Sequence, residues 1–352
     1  EYKSKIYPQV WVSNINVGGK TKEEAKKTII QDHNNISSKK SITIKINEKQ
    51  YTIAISKLDM KYDYSIAIDN AYNIGREGNT LKKYFAITSP GKKIIKLHHT
   101  YGYGIIDNTI ENIVKDTNKK ATDAAITRTN LGGLIVTKET YGCNINSASL
   151  RQDIISKVNN IEQKQNLIIQ PELKKVKPKI KENDLKGINT LISSYTTNFG
   201  SSNENRSTNI RLASSSINGK VVMPGEIFSF NTVVGERSNV NGYTTAKGII
   251  NNKVVDDIGG GVCQVSTTLY NAILRTNITS VERYPHSLHS GYIGVGLDAT
   301  VAYGLLDYRF KNTYSYPLYL ESGISNKNLT FNVYSNAILS NKTYNIYNEV
   351  VG

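Results

Sequence analysis

The stretch Pro171-Glu-Leu-Lys-Lys-Val-Lys-Pro-Lys-Ile-Lys-Glu-Asn183 constrains this chain more than any other. Two prolines break up regular hydrogen bonding, and lysine at every second or third position leaves little apolar surface to bury. Such a segment predicts a boundary between domains. A charged linker over 173–187 then separates an N-terminal region, 1–172, from a C-terminal domain, 188–352. With 352 residues, two or three domains are expected, so the first region has room for two subdomains. Apolar residues at 38% supply enough Ile, Leu, Val and Tyr to bury real cores, which excludes global disorder.

Local patterns on both sides mix helix and strand. Thr21 and Glu24 stand at capping-box spacing, so a helix is predicted from there to about Ile30. Ile42, Ile44 and Ile46, then Tyr51, Ile53 and Ile55, alternate with polar residues around Asn47-Glu-Lys49, which reads as a hairpin. Ile66, Ala67, Ala71 and Ile74 keep helical spacing from Ser65 to Gly75. Asn144-Ile-Asn146 echoes Asn14-Ile-Asn16, each leading into a capped helix, and suggests a repeated unit. Beyond the linker a helix is predicted near Asp184–Ser193. A long helix then runs from Gly261 to about Arg275, followed by one strand over Val301–Phe310. Two more strands, Leu318–Leu320 and Leu329–Val333, flank the turn Ser325-Asn-Lys-Asn328. Both regions belong to the α+β class.

Forty-four Lys and Arg against 29 Asp and Glu give a formal charge of +15, which draws the chain toward a polyanion. The basic residues are dispersed, with no Arg-rich helix and no zinc-finger or RNA-binding signature, so a nucleic-acid partner is not expected. An acidic wall polymer fits dispersed charge better. No run approaches the roughly 18 apolar residues of a membrane span. The chain lacks an initiator Met, and a membrane anchor is expected to precede it in the native protein. Two cysteines, Cys143 and Cys263, are too few for a disulfide framework, though they suffice for one bridge.

Chemistry concentrates after Gly259-Gly-Gly-Val-Cys-Gln264. At 3.6 residues per turn, Val262, Val265, Leu269, Ala272 and Ile273 share one side of the helix, while Cys263, Thr267 and Tyr270 fall on the other. A cysteine at a helix N-terminus, behind glycines that let backbone amides approach a ligand, is suited to a stabilised thiolate. The bland alternative is a small buried hydrophobe. A thiolate nucleophile needs a base, and His286 and His289 are the downstream candidates. Asp298 either fixes the imidazole tautomer or caps a turn. Cys263 with both histidines is also an acceptable zinc set, but the spacing is not a tight metal signature. His33, His98 and His99 are expected at the surface. Cys143, in Tyr141-Gly-Cys-Asn144, is the poorer nucleophile candidate.

Residues from about Ser193 to Ser335 resemble the VanW domain. The resemblance is carried by Thr196-Thr-Asn-Phe199, Arg206-Ser-Thr-Asn-Ile210, Met223-Pro-Gly-Glu-Ile-Phe-Ser-Phe-Asn231, Gly259-Gly-Gly-Val-Cys-Gln-Val-Ser-Thr-Thr-Leu-Tyr-Asn271, Glu282-Arg283, His286-Ser287 and Asp298-Ala-Thr-Val301. Leu58-Asp-Met-Lys-Tyr-Asp63 and Ala71-Tyr-Asn-Ile-Gly-Arg76 resemble the peptidoglycan-binding domain found beside VanW or YkuD domains. VanW domains have been linked to L,D-transpeptidation in clostridia, so the resemblance implies an extracellular, wall-associated enzyme that forms 3–3 cross-links without a cofactor or metal. It implies Cys263 as nucleophile, with His286 and Asp298 as partners. No role carries over to His289. Gly260, Gly261 and Gln264 are then expected around the oxyanion. Arg283, Ser287, Tyr292 and Tyr303 are expected at the substrate, with Tyr284–Tyr303 walling an acceptor groove and Asp298 near the acceptor amine. The expected partners are peptidoglycan stem peptides and anionic wall polymers. A cysteine peptidase acting on the same stems, and a non-catalytic wall-binding protein, are the alternatives.

Overall fold

The computed structural model describes residues 2–129, 132–161, 167–250 and 253–349, excepting the side chains of 36–38 and 250. It divides into two compact units, one of residues 1–121 and 141–177, the other of 122–140 and 178–352. Each mixes helices with small sheets, the α+β class.

The first unit has two cores. In one, helix Lys22–Lys39 and helix Tyr64–Asn73 pack on the short strands Val10–Val12, Ile15–Asn16 and Lys93–Ile95, burying Val10, Val12, Ala25, Ile29, Ala67 and Ala71. The capping box forms: the Thr21 N–H donates to Glu24 Oε2 at 2.9 Å and the Glu24 N–H to Thr21 Oγ1 at 3.2 Å. That helix runs a further nine residues past the expected Ile30, to Lys39. Ile66 is 59% exposed, and Ile68 takes the core position expected of it. His33, expected at the surface, is buried against the ring of Tyr62, 4.4 Å between centroids. The second core is built on the predicted hairpin, Ser41–Ile46 with Lys49–Ala54. Helices Gly104–Thr117 and Ser147–Asn159 cover it. Asn146 caps the latter helix through the N–H of Ser149. Residues Leu173–Val176 of the expected linker form a strand against Gly142–Ile145.

The second unit is organised around an antiparallel sheet in the order Thr190–Asn198, Asn328–Ser335, Leu318–Ser325, Lys220–Val222. The hairpin turn is as the sequence predicts: Asn326 and Lys327 both take left-handed backbone, the geometry that matches strand twist. Two expectations fail here. The helix near Asp184–Ser193 is only Glu182–Leu185, because Thr190 onward is β-branched and alternating and pairs along Asn328–Ser335 instead. Val301–Phe310 is not one strand. Gly304, at φ +78°, closes a turn in which the Ala302 and Leu306 backbones bond, and only Arg309–Lys311 is extended in a sheet.

Helix Val262–Leu274 lies on the large sheet, where Ser193 Oγ donates to the Ala272 carbonyl at 2.6 Å and the Thr197 and Thr268 hydroxyls meet at 2.7 Å. Hairpin Ala125–Arg128/Leu134–Thr137 belongs to this unit. It buries Ala124 and Ile126 with Leu185, Ile188 and Tyr319, and Arg128 forks onto Glu321. No helix among the described residues is long and apolar enough to cross a membrane.

Candidate active site

The cysteine helix begins in a loop that only glycine can form. Gly261, the residue before the helix, sits at φ +104°, and a Cβ there would lie 2.7 Å from Arg206 Cγ. A Cβ on Gly260 would lie 2.3 Å from the Ala246 carbonyl oxygen. The loop is held by Asn209, fully buried, whose Nδ2 donates to the carbonyls of Thr244 and Gly260. Val262 N–H donates to Gly259 and Gln264 N–H to Gly261, while the N–H groups of Gly261 and Cys263 have no protein acceptor among the described residues. Free amides therefore flank the sulfur.

The helix face bearing Cys263 is not a solvent face. Segment 297–301 covers it: Ser266 Oγ donates to the Ala299 carbonyl at 2.6 Å, the Ala299 N–H to Thr267 Oγ1 at 3.0 Å, and Asn271 Nδ2 to the Leu297 carbonyl at 2.6 Å. These three helix residues, one or two turns beyond the cysteine, fix the backbone on both sides of Asp298. The Cys263 thiol points at the Val301 carbonyl, 3.5 Å away.

His286 stands between the sulfur and Asp298. Its Nδ1 and its backbone N–H each meet Asp298 Oδ2 at 2.5 Å, and its ring lies close enough to Cys263 for the two groups to shift each other's titration. With Nδ1 engaged by the carboxylate, Nε2 is the nitrogen left for the thiol. Burial pushes the Cys263 thiol up, but the hydrogen bond and charge of His286, with the field of Arg237, leave it below its ordinary value. Burial presses His286 down, yet Asp298 and Cys263 together raise it to about 9. Burial likewise opposes the Asp298 charge, and the hydrogen bonds from His286 overcome it. All three directions favour a thiolate–imidazolium pair backed by a carboxylate.

Other candidates fall into place differently. Arg283, expected at the substrate, is turned inward: its Nε donates to the Asp298 carbonyl and its Nη2 to the Gly296 carbonyl, both at 2.6 Å. Nη2 also reaches Asp298 Oδ1 at 3.2 Å, and the guanidinium lies over the Tyr270 ring. Both Asp298 oxygens are thus engaged, and the residue is buried rather than placed for an acceptor amine. Gln264 is 1% exposed, with its carboxamide committed to Thr197, Asn198 and Arg206. The thiol opens on a cleft of about 1110 Å³ lined by Gly260, Gly261, His286, Ser287, Tyr292 and Tyr303 among others. A second groove of about 690 Å³, lined by Asn198–Phe199 and Ser201–Asn203, shares Arg206, Lys247, Gln264 and Tyr292 with it. Burial keeps the Tyr292 hydroxyl well above its ordinary value, so it stays a neutral donor. His289 is exposed and outside the cleft lining, and both cysteines are free thiols. Sequence reasoning gave no role to Arg206, Asn209, Arg237, Ser266 or Asn271. Ser266 and Asn271 carry a signal in their spacing from Cys263 along one helix face, whereas Arg237 carries none.

Two family models match separate stretches of the chain. Residues 205–334 match the family described as "VanW like protein", and residues 51–166 match the family described as "Putative peptidoglycan binding domain". The chain is 38% identical over 173 residues to "Uncharacterized protein YoaR" of Bacillus subtilis, covering 49% of this chain and 57% of that one. It is 33% identical over 115 residues to "Vancomycin B-type resistance protein VanW" of Enterococcus faecalis, covering 31% and 42% respectively. The chain thus spans about half the length of these curated relatives. No solved structure matches it.

Proposed function

We propose that this chain, which carries a VanW-like domain beside a domain of the "Putative peptidoglycan binding domain" family, is a cysteine-dependent L,D-transpeptidase forming 3–3 cross-links in peptidoglycan. Both domain matches support a peptidoglycan-related role whatever the reaction. The observation that carries the reaction class is the grouping of Cys263 with His286, itself hydrogen-bonded to Asp298, on one cleft.

In this reading the Cys263 thiolate attacks the carbonyl carbon of the third stem residue, forming an S–C bond. The tetrahedral oxyanion is met by the free N–H groups of Gly261 and Cys263. His286, as imidazolium, gives its Nε2 proton to the departing nitrogen. The C–N bond breaks, the terminal amino acid leaves, and a thioester remains. The side-chain amine of another stem's third residue then attacks the thioester. A new C–N bond forms, the C–S bond breaks, and the amine's proton passes to His286, restoring the ion pair. Asp298, held by Arg283, keeps the imidazole oriented throughout. Two adjoining grooves offer room for two strands, in support of transfer over hydrolysis. The site of action would be the wall, outside the cell.

Mass spectrometry of purified tetrapeptide muropeptides incubated with the protein tests this. Dimers joined 3–3 are expected to exceed tripeptide, and Cys263→Ala is expected to abolish both while Cys143→Ala changes neither. Tripeptide alone at high stem concentration would make the chain a peptidase. Unaltered stems with an alkylatable Cys263 would make it a binding protein.

A further inference from the structure

Two arginines flank Cys263 in the larger cleft, Arg206 from helix Glu204–Ile217 and Arg237 from the loop after Gly235. Neither has a carboxylate partner among the described residues. Each is tethered through Nη1 alone. Arg206 Nη1 donates to Ser202 Oγ at 2.6 Å and Gln264 Oε1 at 2.9 Å, and Arg237 Nη1 to Asn231 Oδ1 at 2.7 Å and the Gly235 carbonyl at 3.0 Å. No protein acceptor meets Nη2 of either among the described residues, and on Arg237 that atom is buried. Its guanidinium lies beside the rings of Phe230 and Tyr303, which offer no oxygen in the right place. A buried cationic N–H without an acceptor is costly and rare, so it marks a place where an anion is supplied by something else. Burial also weakens the hold of both guanidiniums on their protons, and the nearby charges of Cys263 and, at Arg237, Asp307 offset this only in part.

We propose that Arg206 and Arg237 form a receptor for the free terminal carboxylate of the donor, so that the site takes stems ending one residue past the attacked carbonyl. The inference rests on the acyl-transfer reading above and deepens it. Bond lengths set the geometry: the carboxylate oxygens of that last residue lie roughly 4–5 Å from the attacked carbon. Both guanidiniums are near enough to Cys263 for the charges to interact. Tethering at Nη1 fixes each fork and leaves the Nη2 N–H groups to donate to an oxygen, the arrangement that makes arginine selective for carboxylates. In an internal peptide bond the same position holds a neutral carbonyl, and binding would leave two cations without a counter-ion in a desolvated cleft. The site is therefore built for chain ends, which separates it from endopeptidase action on existing cross-links. A role confined to stabilising the thiolate would not require the free Nη2 positions, and it predicts a different result.

The test is single-turnover acylation of the full chain, followed by intact mass, with a tetrapeptide stem and its C-terminal carboxamide. The wild-type protein is expected to form the thioester about ten- to a hundredfold more slowly from the carboxamide. Arg237→Gln and, separately, Arg206→Gln are expected to bring the acid-to-carboxamide rate ratio toward one, a ratio from which any effect on the shared thiolate cancels. Equal rates from both donors in the wild-type protein would overturn the proposal without touching the acyl-transfer reading. Variants that slow both donors alike would also overturn it, since the arginines would then serve only the thiolate. Absence of thioester from either donor would remove the acyl-transfer reading and this proposal with it.

Discussion

Asp298 is the residue on which the site's electrostatics turn. One carboxylate oxygen takes two hydrogen bonds from His286 and the other takes Arg283, so the side chain holds the imidazole in place and favours its protonated form. Asp298→Asn removes that charge and offers an amide in its place. His286 is expected to fall from about 9 toward its ordinary range, and with it the stabilisation of the thiolate. The kcat/KM profile of the wild-type protein should be bell-shaped, with its alkaline limb near pH 9 where the imidazolium is lost. In the variant that limb should move to lower pH and the maximum should drop by about 10²–10⁴. Thiol alkylation followed against pH checks the same shift without substrate. The two groups also link stability to pH. A histidine raised in the folded state contributes fully below its unfolded value and loses that contribution as pH climbs through about 9. An aspartate lowered in the folded state contributes above its unfolded value and loses it on acidification.

At the scale of elements, the helix that carries the nucleophile is buried on both faces, one by the sheet and one by segment 297–301. Its start is fixed by the three-glycine turn. Sequence periodicity separated the two faces correctly, with Cys263, Thr267 and Tyr270 opposite Val265, Leu269 and Ala272, but it gave no sign of the segment that covers the first face. Polar residues there look solvent-directed until a backbone segment is seen to take their hydrogen bonds. Gly260→Ala tests how tightly the turn is set. A Cβ would meet the Ala246 backbone oxygen at 2.3 Å, which no rotamer can relieve, so the loop must shift. Roughly 1–3 kcal/mol of destabilisation is expected, read as a lower Tm, together with a loss of rapid Cys263 alkylation. A variant with unchanged Tm and unchanged thiol reactivity would show that the turn is not what orients the cysteine.

The molecule as a whole is basic, and the two units are interleaved in sequence, the hairpin at 122–140 belonging with residues 178–352. A formal charge of +15 dispersed along the chain suits a surface that carries many anionic groups. Binding of the full chain to isolated sacculi is expected to weaken steadily as salt rises from 50 to about 500 mM, because the Debye length shrinks from above to well below 10 Å. It should weaken further when anionic polymers are stripped from the sacculi. Pull-down with quantified unbound protein gives both comparisons. Binding indifferent to salt would point to recognition of uncharged glycan or peptide.

By itself the sequence determined the mixed α+β class, the Thr21 cap, both hairpins and the helix that begins at the cysteine. These rest on spacing and on local turn chemistry that a short segment already contains. It also offered Cys263, two histidines and Asp298 as candidates, and the VanW resemblance chose His286 between the histidines. Only the tertiary structure decided that Thr190 onward is a strand, since a partner 130 or so residues away supplies its ladder. It alone turned Arg283 inward onto Asp298, committed the Gln264 carboxamide to Thr197, Asn198 and Arg206, and brought Arg206 and Arg237 to one thiol from separate elements. Where a long side chain ends is set by which distant acceptor and which cavity it meets, and neither is written in its neighbours along the chain.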